Sequence, residues 1–205
     1  MSVVIKKRWD GTDLPACSQT TVSFVVLEDS LRICIDAPFF NDARPPPNAT
    51  DLWNFEVVEV FIKGRFDKYI EIEVGSHADY LILLCDGYRQ CFIRRLDANL
   101  CTAQILNNRW IGEIEIPNHY LPPPTELGYY TCNAFSIHGE REYCAAFPPS
   151  SSTLEPDFHK LELFEKLPVH IPAPKTSIWG DRQNFSLATM PCVKPDEFAP
   201  TGIRE

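Results

Sequence analysis

The sequence predicts an all-β fold, an antiparallel jelly-roll β-sandwich of about ten strands, and three observations carry that prediction. Short runs rich in Val, Ile, Phe and Tyr recur through the first 150 residues, each bounded by Asp, Asn, Gly or Pro. Several of these runs alternate apolar and polar side chains, which gives a strand one packed face and one wet face. Helical signal is confined to one short turn around 155–163, where Pro156 suits a helix start.

Strands are expected at 3–7, 20–27, 31–37, 56–62, 69–74, 80–85, 91–96, 102–106, 110–116, 131–138 and 142–146. In the third, Leu31, Ile33 and Ile35 form the apolar face. In the fifth, Ile70, Ile72 and Val74 point to the core and send Tyr69, Glu71 and Glu73 to the other side. The run from Tyr80 to Cys85 is apolar on both faces, as in a central strand covered from two sides. Glu28-Asp29-Ser30 and Asp86-Gly87 supply hairpin turns. The prolines at 45–47 and 122–124 cannot lie within a sheet interior and mark stiffened loops. Residues 1–167 therefore read as the sandwich, and 168–205 as a Pro-rich irregular extension docked by Ile178, Trp179 and Phe185.

A chain of 205 residues with 44% hydrophobic content can bury a full core without metal or disulfide staples. The net charge of -9 argues against nucleic acid and against an anionic membrane surface, since both require a basic face; Arg94-Arg95 reads as a solvated strand end. No apolar run approaches the roughly 20 residues of a membrane span. The N-terminus lacks the apolar core of a secretory signal, so a cytoplasmic location is expected. Six of the eight cysteines, Cys34, Cys85, Cys91, Cys101, Cys132 and Cys144, sit in or beside strand-like runs, where a free thiol behaves as a small hydrophobe. Reduced, unpaired thiols follow, and the sequons at Asn48 and Asn184 are then without consequence. No Cys-x-x-Cys or clustered Cys/His spacing points to structural zinc.

The chemistry-bearing candidates are few. Glu59 shares a strand face with Val57 and Phe61, so it either binds a ligand or pairs with Arg94, Arg95 or His138. Glu71 and Glu73 are two apart on one strand face, which cannot flank a glycosidic bond from opposite sides. They are expected on a wet outer or concave face. His138 ends a strand just before Gly139, Glu140 and Arg141, a suitable site edge, and His159 follows Phe158. The chain has neither a Gly-x-Ser-x-Gly elbow nor a Gly-rich phosphate loop.

Four segments occur in order: Asp36 to Asp42, Leu52-Trp53 to Phe61, Ala134 to Gly139, and Pro156 to Glu162. Together they resemble an uncharacterised intracellular animal family, that of the human chromosome 4 open reading frame 33 protein. That family in turn resembles the family 9 carbohydrate-binding modules, a jelly-roll sandwich related to the sugar- and haem-binding DOMON domains. The resemblance covers about 9–167. It implies a site in which aromatic rings clamp a sugar while acids, amides and arginine hold its hydroxyls. Glu56 and Glu59 match the strand acids and Trp53 a recurrent tryptophan before that strand; no second clamp residue aligns.

The expected function is thus a non-catalytic module for a carbohydrate or glycoconjugate, with Trp53, Glu56, Glu59, Glu71, Glu73, His138 and Arg141 as ligand-binding candidates. Two alternatives stay open: a protein-interaction module with a closed ancestral pocket, and an enzyme on a small sugar-like metabolite, because Glu59 beside a histidine could do acid–base work. No cofactor is expected. Asp42 and Asp51 leave room for calcium, whereas haem is disfavoured because the only internal methionine, Met190, lies in the irregular tail.

Overall fold

The computed structural model describes residues 1–139, 141–150 and 155–180. It is an antiparallel β-sandwich. The strands are β1 (Ser2–Ile5), β2 (Lys7–Arg8), β3 (Thr20–Val26), β4 (Ser30–Pro38), β5 (Val57–Lys63), β6 (Lys68–Gly75), β7 (Tyr80–Asp86), β8 (Cys91–Arg94), β9 (Leu100–Leu106), β10 (Arg109–Pro117), β11 (Thr131–His138), β12 (Glu142–Ala145) and β13 (Glu165–Lys166). The smaller sheet runs β1-β3-β4-β10-β9 and the larger β2-β12-β11-β5-β6-β7-β8, with β13 also paired to β11.

The alternation in the sequence accounts for the packing between the sheets. Val22, Ile33 and Ile35 meet Val58, Val60, Ile62, Ile70, Ile72 and Val74 in one apolar layer. The strand expected at 3–7 divides instead: β1 pairs with β3 in the smaller sheet and β2 with β12 in the larger. The β9–β10 hairpin turns through Asn107 and Asn108, both at positive φ, the turn geometry that matches strand twist. Around 155–163 there is no α-helix; a single 3-10 turn spans Leu161–Leu163.

The larger sheet is covered on its other face too. Trp9, Leu52, Val57, Phe61, Tyr69, Leu81, Leu83, Phe135, Ile137, Phe158 and Phe164 form a second buried cluster there. Its cover comes from the 3-10 turn Leu52–Asn54 and the segment around Phe158, where Phe158 stacks on Phe135 at 4.0 Å between centroids. Beyond Leu167 the chain continues along the sandwich and buries Ile171 and Trp179. The Trp179 indole N–H donates to the Tyr120 carbonyl at 2.9 Å, and its ring meets Phe92. Phe185 and Met190 lie outside the described residues.

One cysteine expectation is corrected. Cys85 and Cys91 are joined in a disulfide across the β7–β8 hairpin, six residues apart, because the turn after Asp86 returns β8 alongside β7. Cys17, Cys34, Cys101, Cys132 and Cys144 are free thiols. No helix among the described residues is long and apolar enough to cross a membrane.

Candidate functional site

The candidates separate onto the two faces of the larger sheet. On the outer face, antiparallel register sets Glu59 of β5 directly opposite Glu73 of β6, and Glu71 lies two residues along β6 on the same side. All three are buried: Glu59 is 2%, Glu71 5% and Glu73 0% exposed. This corrects the expected wet face for Glu71 and Glu73, whose cover is made by segments distant in sequence. The Glu73 carboxyl has the Glu71 carboxyl and the Trp53 amide beside it, though neither meets strict hydrogen-bonding geometry.

Three carboxyls in one dry patch cannot all stay ionised. Burial and the neighbouring Glu71 push Glu59 well above the usual carboxylate range, with Arg141 opposing. Burial, then Glu59 and Glu71, push Glu73 well above it as well. Glu71 is held lower, pushed up to about 7 by burial while Arg89 and Arg94 oppose. Glu59 and Glu73 are therefore held toward their protonated forms, and Glu71 is poised to ionise near neutral pH.

Arg141 and Trp53 form the rim. Arg141 sits at positive φ in the β11–β12 turn. Its Nη1 donates to the Trp53 carbonyl at 2.8 Å and its Nε to the Tyr143 hydroxyl at 2.9 Å. Trp53 is half-buried and packs against the outer cluster. Arg94 and Arg95 do not pair with Glu59: Arg94 acts on Glu71, and Arg95 bonds Asn48.

A second network closes the other end of this face. Asp157 receives hydrogen bonds from Arg89 at 3.1 Å and from the Tyr88 hydroxyl at 2.9 Å. The Arg89 amide donates to the Tyr69 oxygen, which lies 2.7 Å from His159 Nδ1. Burial and Arg89 push His159 down to about 4. A neutral imidazole accepting from the Tyr69 hydroxyl satisfies both groups. Asp157-Phe158-His159 is thus structural cover for the outer face, with His159 a hydrogen-bonded structural histidine.

Glu56 and His138 lie on the opposite face, at the end of the layer between the sheets, and so do not join Glu59. Glu56 accepts from the Phe40 amide at 3.3 Å and the Asp42 amide at 3.4 Å, bonds that partly offset the upward push of burial. Phe40 stacks on the His138 ring, 3.7 Å between centroids. Burial lowers the His138 pKa from its ordinary value, and Glu142 and Asp42 oppose. A cavity of about 10 Å³ beside them is lined by Glu56, Ser136 and His138 among others, enough for one water. The two loop acids considered for calcium are engaged separately: Asp42 accepts from the Gly139 amide, and Asp51 from the Asn54 side chain.

No family model matches the chain. The UPF0462 protein C4orf33 homolog of Danio rerio is 34% identical over 179 residues, covering 80% of this chain and 87% of the relative. The Mus musculus homolog is 33% identical over 181 residues, with 80% and 90% covered, and the Homo sapiens protein is 33% identical over 181 residues, with 80% and 86% covered. Among solved structures, a candidate carbohydrate-binding protein from Bacteroides uniformis superposes with a TM-score of 0.58 at 11% identity, over 81% of this chain and 84% of that one. A family 9 carbohydrate-binding module from Caldicellulosiruptor kristjanssonii in complex with cellotriose has a TM-score of 0.45 at 11% identity, over 80% and 76%. At such identity the first superposition establishes the sandwich fold alone. By its sequence relatives, the chain belongs to the UPF0462 protein C4orf33 family.

Proposed function

We propose that the protein is a non-catalytic binding module whose ligand is a carbohydrate or glycoconjugate, taken at the Trp53–Arg141 rim above the carboxyl patch. The observation that carries this is Glu73, a fully buried acid set directly beside two further buried acids, Glu59 and Glu71, on rigid strands. A fold needing only stability does better with apolar residues there, since unpaired buried polar groups cost about 1–3 kcal/mol each. Protonated carboxyls both donate and accept, which suits sugar hydroxyls. Trp53 offers a ring for an apolar sugar face and Arg141 a planar donor. Entry requires the Arg141–Trp53 bond to open.

Calorimetric titration against a panel of mono- and disaccharides, run alongside assays for their hydrolysis, tests the proposal. Heat with at least one sugar and no hydrolysis is expected, and Trp53→Ala should abolish the heat while leaving the unfolding transition in place. Absence of heat with every sugar at millimolar concentration would remove the carbohydrate reading. A second reading, a protein-interaction module with a closed ancestral pocket, is favoured by the near-complete burial of Glu59 and Glu73. It would then lead, with the Pro45–Pro47 loop as the surface to probe.

A further inference from the structure

The β11–β12 hairpin gathers three side chains that lie apart from the carboxyl patch and serve no role in the proposed sugar site. His138 and Glu142 face each other across the hairpin, and Cys144 follows two residues along β12 on the same side, opposite Ser136. One nitrogen of His138, the Cys144 sulfur and one Glu142 carboxylate oxygen all lie within 4.8 Å of one another. Cys144 Sγ is 3.9 Å from His138 Nε2, while the 3.9 Å approach of Glu142 Oε2 is to Nδ1 on the other side of the ring, so a single ion takes only one of these two nitrogens. We propose that His138, Glu142 and Cys144 form a binding site for a thiophilic divalent cation of the zinc type.

The donor set selects the ion class. Thiolate and imidazole suit zinc and its d-block neighbours, whereas calcium and magnesium require oxygen ligands alone. With bonds of about 2.0–2.3 Å, tetrahedral ligands stand roughly 3.3–3.7 Å apart. From separations of up to 4.8 Å the three atoms therefore need to close by as much as about 1.5 Å, a side-chain adjustment on a backbone already in register. Phe40, stacked on the imidazole, fixes the ring plane.

The surroundings permit the ion. Arg8 donates to Glu142 Oε1, and the Glu142 oxygen nearest His138 is the other one, Oε2. Arg8 and Glu142 are 40% and 34% exposed, so the guanidinium can turn to solvent as the ion enters, and water can fill the fourth position from that side. Binding replaces the Cys144 proton, which passes to solvent. The signal is invisible as a sequence motif because His-x3-Glu-x-Cys becomes a cluster only once the hairpin register is known.

The full-length chain, stripped of metal, is titrated with zinc by calorimetry and with cobalt by absorbance. One equivalent should bind, and the cobalt adduct should show a thiolate-to-cobalt charge-transfer band. Cys144→Ser, nearly isosteric, should lose the band and weaken zinc by more than about tenfold. Cys17→Ser and Cys192→Ser should retain both. If Cys144→Ser fails to fold, Glu142→Ala at the half-exposed position decides: weaker zinc with the band kept supports the site, and unchanged affinity overturns it. The proposal is also overturned if the natural chain binds neither ion, or if folded Cys144→Ser binds zinc as the natural chain does.

Discussion

At the scale of single residues, Glu73 lies fully buried on the outer face of the larger sheet, directly across from Glu59. Its alternation with Ile72 and Val74 correctly places it on the face away from the inter-sheet core, yet alternation says nothing of what lies over that face. The sequence made Glu59 legible as an acid among packing residues; the pairing of Glu59 with Glu73 required the β5–β6 register. A pH dependence follows. Glu71 is pushed from 4.5 up to about 7, so the folded state holds protons the unfolded chain releases, and this stability is lost as pH climbs through that window. His159, pushed from 6.5 down to about 4, acts oppositely, its contribution present above 6.5 and lost as pH falls. The carboxyl effect is therefore cleanest above the histidine range. Denaturant unfolding should show stability falling as pH rises past 6.5 through about 7, where Glu71 ionises, and Glu73→Gln, neutral throughout and able to donate, should flatten that fall. Parallel slopes for the two proteins would contradict the buried-acid description.

At the scale of elements, the strands were readable wherever a two-residue period marked a face, as in β4 and β6. Their cover was not, because the Leu52–Asn54 turn and the Asp157–Phe164 segment have no period and act through stacked rings and hydrogen bonds. The β1–β2 break was also hidden, since an apolar run looks the same whether it serves one sheet or crosses between two. Loop docking yields a sharp prediction at the end of β5. The Gly64 amide donates to Lys68, the Arg65 amide donates to the Pro123 carbonyl, and a Cβ on Gly64 would stand 2.0 Å from that carbonyl oxygen. Gly64→Ala should thus push the second proline loop off the sheet edge and cost about 2–3 kcal/mol in denaturant unfolding. A loss below about 0.5 kcal/mol would show that the loop yields freely.

For the molecule as a whole, two sheets and an extra layer of loops on the larger one leave a buried carboxyl patch under a rim of Trp53 and Arg141. Family membership and sandwich architecture were both accessible from the sequence, because the Trp53-to-Phe61 strand and the Asp157-Phe158-His159 segment are distinctive. The division of the candidates between two faces was not, as Glu56 and Glu59 are close in sequence but of opposite parity. Tryptophan gives a direct readout of a ligand bound at the rim. Of the four, Trp9, Trp110 and Trp179 are buried and Trp53 is half-buried at the rim. Titrating isotope-labelled protein with a sugar that gives calorimetric heat, and following the four indole N–H signals by NMR, locates the site. The Trp53 signal should shift progressively while those of Trp110 and Trp179 stay in place; a saturable shift that spares Trp53 would contradict a binding site at that rim.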